Sequence, residues 1–223
     1  MGITTKSRPV RSNQTGIHED LFNILQKHRE KPYLKPVSRH TREAFEYARQ
    51  RLTSISAPLI LDSGCGTGES TLALAERHPD AFVLGVDKSL ARLQKNPLFA
   101  TEHNRNLLLL RADLFDFWRL AAREGWRFER HYIFYPNPWP KKRHLKRRIH
   151  GHPAFFDMLR LSPYLELRSN WRIYLEEFAA AVAFVTGRSL EVETFAPDTP
   201  ISAFERKYWL SGHELYRLRI RLS

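Results

Sequence analysis

The chain has 223 residues, 42% hydrophobic and 12% aromatic, which suits one sizeable domain with its own core and excludes disorder throughout. No apolar run approaches the roughly 20 residues of a membrane-spanning helix, and a single cysteine excludes an internal disulfide or a cysteine-built zinc site. Lys and Arg number 36 against 24 Asp and Glu, a net charge of +12 that favours a polyanionic partner, nucleic acid before membrane.

The first stretch, MGITTKSRPVRSNQ, lacks the apolar segment of a secretory signal, so a cytoplasmic location is expected. Residues 1–16 show no periodicity and read as a mobile basic tail whose Lys6, Arg8 and Arg11 can reach a phosphate backbone. Leu21, Phe22, Ile24 and Leu25 give an amphipathic helix from Ile17 to His28, and KPYLKP at 31–36 interrupts it. A second helix is expected from Thr41 to about Leu52, using Ala44, Phe45, Tyr47 and Ala48. Residues 1–57 therefore read as a basic extension with two short helices, and residues 58–223 as the main domain.

That domain begins with a buried strand, Leu59 to Leu61, ended by Asp62. Gly64, Gly66 and Gly68 form a tight turn, a helix runs from Ser70 to His78, and FVLGV at 82–86 is a second strand ending at Asp87. Strand, glycine turn, helix, strand and acid make a nucleotide-binding βαβ unit. The spacing is GxGxG rather than GxGxxG, with Glu69 where a dinucleotide fingerprint wants its third glycine. A carboxylate at Asp62 would repel a pyrophosphate but suit a ligand carrying an ammonium and a sulfonium. Asp87 is placed to accept hydrogen bonds from ribose hydroxyls. S-adenosyl-L-methionine has that combination of groups and no phosphate.

LLLLR at 107–111 gives a third strand, and Asp113 after it can accept from the adenine amino group or cap the helix expected at 114–123. HYIFY at 131–135 is a fourth strand, stopped by Pro136, Pro138 and Pro140, each of which fixes φ and removes a donor. A stiff loop at such a strand end is a ligand position in an open α/β sheet. Lys141, Lys142, Arg143, Lys146, Arg147 and Arg148 follow it and suit phosphate oxygens. Tyr135 and Trp139 are candidates to stack on an extruded base, or to pack in the turn. A helix at about 153–161, a strand at 164–169 and a long helix from Trp171 to Thr186 come next. Residues 190–196 and 213–222 alternate as a closing antiparallel pair around DTPISAFERKYW. His144, His150 and His152 read as surface or phosphate-contacting histidines rather than metal ligands, and Cys65 as a small buried residue.

Three stretches together resemble the tRNA (guanine-N7)-methyltransferase family: the glycine loop with its acids, YPNPWPKKRHLKRR, and SAFERKYWLSGHELYRL. The second is similar to the family signature FPDPWxKxRHxKRR, and SNWRIYLEEF at 169–178 to its T-D-W-x-x-Y segment. The resemblance implies a Rossmann-like class I SAM-dependent methyltransferase fold. That is a mostly parallel seven-stranded α/β sheet with helices on both faces and an antiparallel C-terminal strand. It implies cofactor contacts from Asp62, Asp87, Asp113 and Asn137, and substrate contacts from Lys141, Asn170 and Ser202 to Glu205. Asn137, Asn170 and Glu205 become the candidate catalytic residues, and tRNA the partner of a monomer or homodimer with no obligate second subunit. Asn137 and Asn170 depart from the family's Asp, and asparagine offers one acceptor oxygen and brings its own donor. Glu205 is then expected to carry guanine recognition, and restoring both Asp residues to raise methylation. Guanine N7 already has a free lone pair, so the reaction needs positioning rather than a general base. A related transfer to another RNA or base, and a catalytically weak protein that binds S-adenosylmethionine and RNA, are the alternatives that the two asparagines keep open.

Overall fold

The computed structural model of the protein describes residues 6–99 and 106–222. Seven strands form one sheet: β1 (Leu59–Ser63), β2 (Phe82–Asp87), β3 (Leu107–Arg111), β4 (Arg130–Phe134), β5 (Tyr164–Ser169), β6 (Val192–Phe195) and β7 (Leu215–Arg221). Their order is β3-β2-β1-β4-β5-β7-β6. The first five are parallel, and β7 lies antiparallel between β5 and β6. Among the described residues eight α-helices accompany them: α1 (Leu21–Glu30), α2 (Arg39–Leu52), α3 (Glu69–Arg77), α4 (Leu90–Leu93), α5 (Leu114–Arg123), α6 (Phe155–Leu159), α7 (Arg172–Thr186) and α8 (Ala203–Leu210). This is the fold class that the sequence implied.

Strand side chains alternate between two faces, and the sheet uses both. Leu61, Leu84, Ile133 and Leu167 enter one core with residues of α1, α2, α5, α6 and α7. Ile60, Val83, Tyr132 and Phe134 enter the other with Leu74 and Ala75 of α3 and with Ile201. Burial on both faces explains why these strands read as near-continuous apolar runs.

Several local details differ from the sequence reading or add to it. Leu21, Leu25, Phe45 and Ala48 of the two N-terminal helices are buried in the same core as the sheet. The fourth strand stops one residue early, because Tyr135 takes a positive φ of 52°. The basic stretch winds into two 3-10 turns, Lys142–Arg147 and Ile149–Gly151, and the helix after it covers only Phe155–Leu159. Helix α4 has four residues, too few to leave a periodic signal. Among the described residues no helix is long and apolar enough to cross a membrane.

β1 has β2 on one side and β4 on the other, so the chain winds outward first in one direction and then in the other. The crevice beyond the carboxyl ends of β1 and β4 is therefore the ligand position of an open α/β sheet. If α1 belongs to the cooperative unit, Leu25→Ala is expected to cost about 2–5 kcal/mol in urea unfolding, with one transition by every probe. A separate early transition for the N-terminal helices would contradict the shared core.

Candidate active site

The glycine turn lies at the end of β1 and folds back onto β2, with Gly64 and Cys65 N–H groups donating to the Val86 carbonyl at 2.7 and 3.2 Å. Gly64, Gly66 and Gly68 have φ of 80°, 62° and 80°, which L side chains rarely adopt. A Cβ on Gly68 would come within 2.8 Å of Asn96 and Leu109, whereas on Gly66 it would meet nothing within 4 Å. Open space stands against the middle of the turn, where a ligand can approach the backbone.

Asp62 is buried, and its Oδ2 accepts from Ser70 Oγ at 2.6 Å and Thr71 Oγ1 at 2.7 Å. Its Oδ1 has no hydrogen-bond partner among the described residues. Burial pushes the carboxyl up to about 6, against the pull of the two hydroxyls. Asp87 is also buried and braces the turn, accepting from Gly66 N–H at 3.0 Å and Ser89 N–H at 2.7 Å. Asp113 follows β3 and caps α5, accepting from the N–H groups of Phe115 and Asp116 at 3.1 and 3.2 Å. Of its two expected roles, the cap is the one realised within the chain. The three acids stand at the ends of adjacent strands. An unpartnered buried carboxylate oxygen, open space over Gly66 and an acid at the end of β2 fit the ammonium, body and ribose of S-adenosylmethionine.

Beside this pocket, β4 runs into the proline turn. Tyr135 and Trp139 have φ of 52° and 45°, so two non-glycine residues in the left-handed region bracket Pro136, Asn137 and Pro138. Such strain persists only where the surroundings over-determine it. Asn137 is exposed, and its Oδ1 accepts from Trp139 N–H at 3.3 Å. The Trp139 carbonyl accepts from Arg148 Nε at 3.3 Å and Nη2 at 3.1 Å. Arg147 lies over the Trp139 ring at 4.8 Å, and Tyr135 packs on Tyr208 with ring centres 5.4 Å apart.

Lys141, Lys142, Arg143, Lys146 and Arg147 are exposed. Lys141 to Arg143 line a cavity of about 540 Å³ together with Arg11, Ser12 and Asn13. Arg148 departs from the expected phosphate-contacting set. It is fully buried and ion-paired with Glu177, because its guanidinium points inward under the turn. The N-terminal segment also differs from a mobile tail over its described part, with Ser12 Oγ donating to the Pro140 carbonyl at 2.5 Å and Gln14 buried. Residues 1–5 lie outside the described residues.

Across the crevice, Asn170 follows β5 and its Nδ2 donates to His213 Nδ1 at 3.0 Å, while His213 Nε2 donates to the Ser7 carbonyl at 3.0 Å. Ser202 caps α8, accepting from Glu205 N–H at 3.2 Å. Glu205 is fully buried, with its oxygens 2.9 and 3.1 Å from Arg168 Nη1. One of them also accepts from Ile201 N–H at 3.3 Å. This carboxylate is therefore turned inward, in an ion pair joining β5 to α8. The histidine expectation changes as well: His150 is fully buried, and His152 stacks on Phe115 with ring centres 3.7 Å apart. Cys65 is buried.

Gln14, Glu177, Arg168 and His213 escaped the sequence reading. Glu177 left one signal, a carboxylate three residues after Tyr174 and one before Phe178 on the buried stripe of α7. Gln14 left none, being polar in a polar stretch.

The raised Asp62 carboxyl gives a test with a definite sign. Folding favours its protonated form, so its stabilising contribution is complete below about 4 and is lost as pH rises through about 6. Asp62→Asn is expected to raise stability at pH 8 by about 1–3 kcal/mol, to change it little at pH 4, and to weaken S-adenosylmethionine binding about tenfold or more. Equal stability loss at both pH values would contradict this reading.

Comparison with known proteins places the chain. Residues 56–218 match the family model described as "Putative methyltransferase". The chain is 35% identical over 178 residues to the tRNA (guanine-N(7)-)-methyltransferase of Halorhodospira halophila, covering 75% of this chain and 76% of that protein. It is 30% identical over 184 residues to the enzyme of the same name from Leifsonia xyli subsp. xyli, covering 74% and 77%. Among solved structures, an antibiotic-related methyltransferase superposes with a TM-score of 0.56 at 13% identity, over 84% of this chain and 96% of that one. The 16S rRNA (adenine(1408)-N(1))-methyltransferase of Catenulisporales acidiphilia, solved with SAM, superposes with a TM-score of 0.54 at 18% identity, over 80% and 91%. These two likenesses concern the fold. By the family model and by identity to these relatives over three quarters of its length, the chain belongs to the tRNA (guanine-N7)-methyltransferase family.

Proposed function

We propose that this chain transfers a methyl group from S-adenosylmethionine to N7 of a guanine in cytoplasmic tRNA. The observation that carries the reading is adjacency. The glycine turn with Asp62 and the proline turn with its five exposed cations leave the ends of two hydrogen-bonded neighbours, β1 and β4. The cofactor, when bound, supplies a methyl on a sulfonium, an electrophile that an unprotonated ring nitrogen can attack. Asp62 Oδ1 would take the ammonium, Gly66 would let the ligand approach the backbone, and Asp87 would face the ribose. Lys141, Lys142, Arg143, Lys146 and Arg147 would hold phosphates, and Asn137 at the turn would orient the entering base. No proton has to be removed before transfer, so the residues serve by placing the nitrogen in line at about 3–3.5 Å.

The two asparagines separate under this geometry. Asn137 is exposed and its oxygen only caps the turn, so Asn137→Asp keeps that acceptor and is expected to raise guanine methylation severalfold. Asn170 donates to a histidine nitrogen whose lone pair is fixed by the bond from the other ring nitrogen to Ser7. Asn170→Asp would set two acceptors against each other and is expected to lower activity. The opposite pattern would favour a different base as substrate.

Labelled S-adenosylmethionine with unmodified total tRNA, followed by nucleoside analysis, tests the activity. Labelled 7-methylguanosine is the expected product, and another labelled nucleoside would move the substrate. Affinity for tRNA is expected to fall linearly with salt on logarithmic axes, and Arg143→Ala to reduce the slope by about one. An unchanged slope would remove Arg143 from the phosphate-contacting set.

A further inference from the structure

Glu177 is fully buried, yet four residues from two distant segments converge on it. Its Oε1 accepts from Gln14 Nε2 and from His18 N–H at 2.9 Å. Its Oε2 accepts from Arg148 Nη1 and from His150 Nε2 at 3.0 Å. Gln14 is used at both ends of its amide, since Nε2 also donates to the Gly16 carbonyl at 2.6 Å and Oε1 accepts from Arg148 Nη2 at 3.0 Å. Arg148 closes the set by donating to the Trp139 carbonyl and lying 5.0 Å from the Trp171 ring centre. Burial lowers the affinity of His150 for a proton more than Glu177 raises it, leaving one cation and one anion at the centre. Burial alone would raise the Glu177 carboxyl, but His150, Arg148 and Gln14 hold it down to about 2.

The same N-terminal segment is tied at three further places. Ser12 bonds to Pro140 as described, Asn13 Oδ1 accepts from Lys142 N–H at 3.4 Å, and Ser7 N–H donates to Ser211 Oγ at 2.8 Å. The segment thus crosses the end of the sheet from α7, over the proline turn, to the start of β7.

We propose that Gln14 and Glu177 are positioning residues for the substrate turn: they fasten residues 7–18 as a strap over the crevice and, through Arg148, fix the Trp139 carbonyl. The catalytic part of this inference rests on the methyl-transfer reading above, whereas the mechanical part stands without it. A left-handed Trp139 between two prolines needs external support, and Arg148 supplies it with two donors on one carbonyl. Arg148 is itself oriented by Glu177 on Nη1, by Gln14 on Nη2 and by the Trp171 ring. The strap brings Arg11 and Asn13 beside Lys141 to Arg143, so its seating also shapes the cationic cavity.

The test is amide hydrogen exchange on the full-length protein without ligand, for wild type and Gln14→Ala. Exchange is expected to quicken about tenfold in residues 7–18 and 137–148, with β1 and β2 unchanged. Faster exchange in the strap alone would overturn the proposal, as would a uniform rise across the sheet. In the transfer assay, KM for tRNA should rise and kcat fall while S-adenosylmethionine affinity stays within about twofold. Because Gln14→Ala can weaken folding generally, Gln14→Glu and Gln14→Glu/Glu177→Gln form a second comparison. The double variant returns one carboxylate and one amide to the node and is expected to recover protection of the turn that Gln14→Glu alone loses; no recovery would count against the proposal. A wild type that yields no 7-methylguanosine would sink the methyl-transfer reading and leave the exchange result standing.

Discussion

The reversal of winding at β1 is the constraint on which the site depends. β1 pairs with β2 on one side and β4 on the other, so the connections leaving its carboxyl end and that of β4 diverge to opposite halves of the sheet. A crevice opens between them that no side chain is required to fill. Beneath the strap, what is placed there comes from strand ends: the glycine turn and Asp62 from β1, Asp87 from β2, the proline turn from β4 and Asn170 from β5. Because all these strands are parallel and buried on both faces, their ends are fixed to each other before any ligand arrives.

Buried charge then refines the positions. Glu205 with Arg168, and Glu177 with Arg148, are ion pairs whose carboxylates are fully enclosed. Pairs of this kind contribute little net stability, since desolvation offsets attraction, but an unpaired partner would be costly. Each pair therefore selects one arrangement of the elements it joins. Arg168 holds α8 against β5 and sets the distance across the crevice. Arg148 holds the proline turn against α7, and the strap closes over both through Gln14. The outer cations stay exposed, so the groups proposed to hold the RNA are separate from those that hold the turn.

Much of this was legible in the residues. The βαβ unit announces itself because glycines, acids and apolar strands occur at fixed spacing, and the proline turn because three prolines and a tryptophan leave the backbone few choices. Three side chains lie deeper than their residue types suggest, for a common reason: a charged side chain advertises its charge but not its direction. Arg148 looks like its exposed neighbours Lys146 and Arg147, Glu205 like an open carboxylate, and His150 like a surface ring, until helix packing turns each one inward. The strap was illegible for a different reason. It has no periodicity, and its order comes from single hydrogen bonds to residues more than 100 positions away in the chain. Asp113 lay between these cases, since residue type alone fits both a helix cap and an adenine contact.

The central claim is that one crevice receives both ligands side by side. Hydrogen exchange with S-adenosylhomocysteine, and then with tRNA added, tests it most directly. Cofactor product alone is predicted to protect residues 62–68 and 87–89, and tRNA to add protection over 135–147 and the strap. Protection by tRNA elsewhere on the sheet, with 135–147 unchanged, would contradict the account.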